Sequence, residues 1–312
     1  MASKILTSPI PYIALLLAHL IWGGNFVVAK VTLQEFPMHT LAFLRFALAS
    51  LLLAPFFLAE TKKVKIQKEH LPKLIAIGIF IITFNISFFF AGIQKTTATN
   101  ASILTLVIPM LSVLLGWIYL KEKVYTVNLL GITLGFLGAL IIIGLPQIFL
   151  GEFSPQTLLG NLLMILASVS WVIGAVISRQ MLKIYPSLII TAIAFLVGVI
   201  TFFPPAVLEY LNNPGWPDSI TMLGLLGLAY MTALSSISAY FLFEWALSKT
   251  SLISADLFQY IEPFIAAALA VTLLGERISF SFVIGAALIA LGVYWGTFAK
   301  EAHHRKHKYH RV

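Results

Sequence analysis

The sequence predicts an all-α polytopic membrane protein of ten transmembrane helices, arranged as two inverted five-helix repeats. Three observations predict it. Of 312 residues, 60% are hydrophobic and 10% are charged, with a mean hydropathy of +0.97. A soluble domain carries about 25% charged residues, so most of this surface does not face water. Apolar stretches long enough to cross a bilayer recur along the chain. The second half also repeats the first, residue type for residue type, at many corresponding places.

The apolar runs lie at about residues 10–33, 37–59, 71–93, 98–120, 125–145, 157–183, 186–208, 219–247, 252–274 and 279–299. The links between them are mostly too short for a soluble domain. Lys4 followed by an apolar stretch fits a secretory signal loosely, but the run continues to Leu33 and has a later counterpart, so it reads as a helix of the mature fold. The net charge of +8 forms no stripe for nucleic acid, because the basic residues sit between the apolar runs, where they orient the chain. With the N-terminus in the cytoplasm, 16 Lys and Arg residues fall on the cytoplasmic side and three (Lys30, Lys95 and Arg277) on the other, with Arg45 inside a helix. That bias places both termini in the cytoplasm, in the cell (inner) membrane. The absence of cysteine excludes disulfides, thiolate chemistry and Cys-ligated metal.

The halves are expected at 1–150 and 151–300, followed by a cationic tail at 301–312. A shift of 149 residues lays Trp22 on Trp171, Lys30 on Arg179, Pro37 on Pro186, Phe46 on Phe195 and Pro55 on Pro204. A shift of 154 pairs Lys95 with Lys249, Ala101 with Ala255, Pro109 with Pro263, Glu122 with Glu276 and Gly138 with Gly292. Five crossings per half is an odd number, so the second half must be upside down relative to the first. Inverted repeats mark transporters, since two similar halves give two near-equivalent shapes open to opposite sides. Duplication kept only for packing is the alternative.

Trp22-Gly23-Gly24-Asn25-Phe26, Arg45-Phe46, Ile261-Glu262-Pro263 and Leu274-Gly275-Glu276-Arg277 resemble the EamA-type branch of the drug/metabolite transporter superfamily. The resemblance covers about residues 10–299. It implies a secondary transporter of a small metabolite, an amino acid or related compound, and in many members export. In the first half, Lys121-Glu122-Lys123 departs from the pattern of Gly275-Glu276-Arg277. A lipid-intermediate flippase of similar architecture is the rival, and an intramembrane enzyme a weaker one. No HExxH, GxSxG or P-loop motif is present, and no cofactor is expected.

Proline within a membrane helix frees a carbonyl and kinks the helix. Pro109 and Pro263 are repeat-related, and matched interrupted helices point to a midplane site. In the ninth run Asp256, Gln259, Tyr260 and Pro263 share one face at α-helical spacing, with Glu262 beside Gln259. Glu262 is taken as the only carboxylate well inside the hydrocarbon depth, and as the candidate proton carrier; its repeat partner is Ile108. Asp256 is a second candidate, expected nearer water at the cytoplasmic end. The first run offers His19, Trp22, Gly23, Phe26 and Lys30 on one narrow face, with Trp171 as the counterpart wall. The third run adds Asn85, Phe88 and Phe89, and the eighth Ser236, Tyr240 and Glu244 at i, i+4 and i+8, with Glu244 free to pair with Lys249. The expected substrate-binding set is His19, Trp22, Asn25, Asn85, Phe88, Trp171, Tyr240, Gln259, Tyr260 and Glu262.

Arg45 could bind a carboxylate, but the preferred expectation is a structural arginine that snorkels to the surface. Glycines 131, 135 and 138 with 285 and 292 suggest close helix packing, within the bundle or in a homodimer. The His-rich tail reads as a solvated topology anchor, with lipid contact or metal chelation as alternatives; no metal site is expected. The partners expected are a small-molecule substrate and membrane lipids.

Overall fold

The computed structural model describes residues 9–120, 126–143, 154–288 and 290–292. The tail, Lys4, Glu122 and the Lys121–Lys123 link lie outside the described residues. The described residues are helical, with no strand. In chain order the helices are α1 (Ile10–Thr32), α2 (Met38–Thr61), α3 (Leu71–Ile93), α4 (Ala98–Leu120), α5 (Thr126–Ile143), α6 (Pro155–Met181), α7 (Ser187–Asn212), α8 (Met222–Lys249), α9 (Leu252–Leu274) and α10 (Phe280–Gly292). Seven are long and apolar enough to cross a membrane by themselves, and shorter apolar helices lie at Phe258–Leu274 and Phe280–Gly292.

The two halves use matched devices. Pro37 and Pro186 stand at the N-caps of α2 and α7 with nearly equal backbone angles, ψ 143° and 147°. A proline there fixes φ and gives up only a donor the first turn could not use. Helix α4 is interrupted at Thr105–Leu106, just before Pro109; α9 tightens to a 3-10 helix over Leu257–Ile261, just before Pro263. Helices α3 and α8 each carry a π-helical stretch, Gly78–Phe84 and Tyr230–Ser238. The packing follows the same rule: α1 lies against α8 and α9 as α6 lies against α3 and α4, while α2 packs on α7.

Helices approach closely where glycine removes the side chain. A Cβ on Gly23 would meet Ile265 Cβ at 2.9 Å and Glu262 Cα at 3.1 Å, so α1 and α9 nearly touch there. A Cβ on Gly292 would meet the Gly131 carbonyl at 2.5 Å, which joins α5 to α10 within the chain. Gly275, at φ +64°, ends α9 in the left-handed conformation that favours glycine.

One rim of the bundle is held by three carboxylates on helix N-termini, where unpaired N–H groups favour an anion. Glu209 of α7 accepts from the backbone N–H of His39 and Thr40 of α2 at 3.1 and 2.7 Å. Glu276 after α9 accepts from Ala98 and Thr99 of α4 at 2.8 and 3.0 Å. Glu35 after α1 accepts from Thr221, the N-cap of α8, at 2.7 Å. Here α1 ends and α6 begins, Gly160 of α6 lying against the Lys95–Thr96 link. At the opposite rim the Tyr185 hydroxyl meets the Gln67 N–H and His70 Nδ1 instead.

Candidate functional site

The breaks in α4 and α9 open onto a cavity in the middle of the bundle. Eight of its lining residues form repeat-related pairs: Trp22 with Trp171, Ile86 with Tyr240, Thr105 with Gln259, and Ile108 with Glu262. In the last three pairs the second half supplies the more polar member. Seven of the ten expected site residues line this one space, namely Trp22, Asn25, Asn85, Trp171, Tyr240, Gln259 and Glu262.

Aromatic rings form one wall. Trp22 and Trp171 meet edge-on with centroids 5.3 Å apart; Tyr240 lies 5.3 Å from Trp22 and 5.8 Å from Trp171. Such edge-to-face pairs add to the burial of large apolar area. The Trp22 indole also donates to the Ser235 carbonyl at 3.1 Å, in the π-helical stretch of α8. Asn85 donates to the Ala167 carbonyl at 2.9 Å.

His19 does not line the cavity. It is 1% exposed, and its Nδ1 lies 2.7 Å from Glu262 Oε1, one helix crossing away at Gly23. Glu262 Oε2 receives a longer contact, 3.5 Å, from Gln259.

Other expectations fail for reasons of helix period. Tyr260 points away from the cavity, into a separate apolar groove with Pro263, Phe264 and Phe282. The 3-10 stretch of α9 repeats every three residues, so Gln259 and Glu262 share one face while Tyr260 and Pro263 share another. Phe88 stacks on Phe84 and leaves the cavity to Phe89, because the π-helical stretch of α3 adds a residue to the turn and rotates the face beyond it. In α8 Ser236 bonds to Arg45, Tyr240 lines the cavity and Glu244 bonds to Ser178.

Three charged groups also differ from expectation. Asp256 is fully buried and accepts from the Ser112 hydroxyl of α4; it does not meet water. Glu244 is buried and accepts from Ser178 Oγ at 2.6 Å, with no pairing to Lys249. Glu262 is therefore one of three buried carboxylates among the described residues. Arg45 does not snorkel: it is 1% exposed, bonded to Ser235 and Ser236, and lines the cavity. A charge well inside an apolar run was the signal that marked it, since such a group must find the bundle interior or water. Among the described residues no cluster of three His, Cys, Asp or Glu side chains is placed to hold a metal ion.

A helical bundle with a polar cavity at matched helix breaks defines a multi-pass membrane transporter, and comparison with known proteins agrees. The EamA-like transporter family model matches twice, over residues 9–144 and 158–298, and the chain belongs to this family. An uncharacterized transporter of Archaeoglobus fulgidus is 32% identical over 286 residues, covering 92% of this chain and 96% of its own. The uncharacterized transporter YoaV of Bacillus subtilis is 24% identical, covering 89% and 94%. A WAT1-related protein of Arabidopsis thaliana is 26% identical, covering 92% and 82%. A solved crystal structure superposes with a TM-score of 0.66 at 18% identity, over 95% of this chain and 99% of that one, which shows a shared fold.

Proposed function

We propose that the chain is a secondary transporter that moves a small organic metabolite, an amino acid or related compound, across the cell membrane by alternating access, as an exporter. One observation carries this: an aromatic-walled cavity with polar side chains, lined in part by repeat-related residues, at matched helix breaks. The two halves run in opposite directions, so rocking of one against the other exposes the cavity to each side in turn. The rim held by Glu35, Glu209 and Glu276 is the outer one, and both termini are cytoplasmic. Export is the direction that the family resemblance favours.

Glu262 is the coupling group. It faces the cavity on one side and His19 on the other, so a proton on the carboxylate can be exchanged for a bound substrate. Reconstitution into proteoliposomes with a panel of labelled amino acids, with and without a pH gradient, tests this function. Accumulation of a panel member that follows the gradient supports it; a panel that stays outside under both conditions overturns the amino-acid substrate.

The apolar groove beside Tyr260 and Phe264 favours one second function, a flippase that seats an acyl chain there. Its lining shares no residue with the central cavity. Movement of a fluorescent lipid between leaflets by purified protein would favour it.

A further inference from the structure

Arg45 carries a permanent charge, because a guanidinium does not give up its proton inside a protein. It is almost completely buried, in α2, at the edge of the cavity. Its Nε donates to Ser236 Oγ at 2.6 Å and its Nη2 to Ser235 Oγ at 3.1 Å. Both partners are neutral hydroxyls. The Phe46 ring, with its centroid 5.1 Å from the guanidinium carbon, adds a cation–π contact but no countercharge. Among the described residues Arg45 makes no ion pair.

Of the five N–H donors, the two serines take two. Both donors on Nη1 remain, and Nη1 is buried with no hydrogen-bond partner among the described residues. Glu262 lines the same cavity, but its carboxylate is engaged by His19 and Gln259. The same lining holds an unmet acceptor: Asn25 Oδ1, on a side chain 6% exposed, is buried with no donor among the described residues. Buried polar groups of either kind are normally satisfied. An arginine held by its side edge presents its remaining donors as a fork, the shape that matches two carboxylate oxygens.

We propose that Arg45 is the subsite that takes a carboxylate group of the substrate, and that Asn25 Oδ1 receives an N–H or O–H of the same molecule. This rests on the transporter function above and adds the group by which the substrate is held. The serines fix the guanidinium before the ligand arrives, so binding does not have to order it. A single guanidinium balances one negative charge. A phosphate dianion would bring a second one beside Glu262, so a carboxylate fits better.

The test compares matched pairs that differ only at the acid: L-phenylalanine with L-phenylalaninamide, benzoate with benzamide, and 3-phenylpropionate with 3-phenylpropionamide. Binding to purified protein is read by tryptophan fluorescence, since Trp22 and Trp171 line the cavity. At least one acid is expected to bind tenfold or more tightly than its amide. Arg45→Gln should lose that preference, and Arg45→Lys should keep part of it, retaining the charge without the fork. Equal binding within every pair, absence of binding by every acid, or stronger binding of inorganic phosphate overturns the proposal. These arms use the wild-type protein, so they decide even if the Arg45 variants do not fold. Uptake of the amides at the rate of the acids would overturn the subsite and leave the transporter standing. Acid-selective binding with no uptake would do the reverse.

Discussion

His19 Nδ1 lies 2.7 Å from Glu262 Oε1, and the two side chains meet because Gly23 lets α1 settle against the backbone of α9. The pair is buried, at 1% and 3% exposure, and Glu262 reaches the cavity from the same position. An ionised carboxylate left unpaired in a membrane interior costs about 2.5 kcal/mol or more, so its charge must be balanced by a proton or by His19.

Glu262→Gln keeps the side-chain shape and removes the titrating group. The variant is expected to fold, to abolish pH-gradient-driven accumulation in proteoliposomes and to spare downhill exchange. Full gradient-driven accumulation by a folded Glu262→Gln protein would falsify the coupling role and turn attention to Asp256 and Glu244, the other buried carboxylates among the described residues.

Much of this arrangement was legible in the residues. Pro109 and Pro263 announced the paired breaks in α4 and α9, because proline has a fixed effect on the backbone around it. Trp22 and Trp171 were found through the repeat. What stayed hidden was helix period. The π-helical stretch Gly78–Phe84 reads as ordinary apolar helix, and nothing in its composition reports the extra residue per turn that trades Phe88 for Phe89. The 3-10 turn that sends Tyr260 outward was hidden in the same way, since even with Pro263 in view α-helical spacing was assumed. Arg45 was visible as a buried charge but was assigned to the surface, because its partners Ser235 and Ser236 come from α8, about 190 residues away.

Gly23→Ala is expected to destabilise the protein by about 1–3 kcal/mol, since its Cβ meets the Ile265 branch and the α9 backbone, neither of which can swing aside. Gly24→Ala should cost less, because the obstacle is the end of the Tyr230 side chain, with the phenol oxygen at 2.7 Å. Thermal unfolding of the two variants in one detergent checks the order; an equal or reversed order would mean that α1 and α9 are not in tight contact.

Labelling checks orientation. The chain has no cysteine, so single cysteines report alone. Lys63→Cys, in the link after α2, is expected to resist a membrane-impermeant maleimide in intact cells. Asp218→Cys, in the short turn Trp216–Ser219 before α8, should react. The opposite pattern would place the carboxylate-held rim in the cytoplasm.

The contact between Glu35 and Thr221 gives a pH prediction with a definite sign. Donation from the Thr221 backbone N–H, and next from its hydroxyl, holds the Glu35 carboxyl below its ordinary value. A group depressed in the folded state stabilises that state above its unfolded pKa, about 4.3, and loses the contribution as pH falls through the lower folded value. Glu35→Gln removes that titration while Glu209 and Glu276 hold the same rim in both proteins. The gap in thermal midpoint between wild type and Glu35→Gln should therefore be constant from about pH 7 to pH 5 and shrink steadily below about pH 4. A gap that stays unchanged down to about pH 3 would show that the Glu35 charge does not hold α1 to α8.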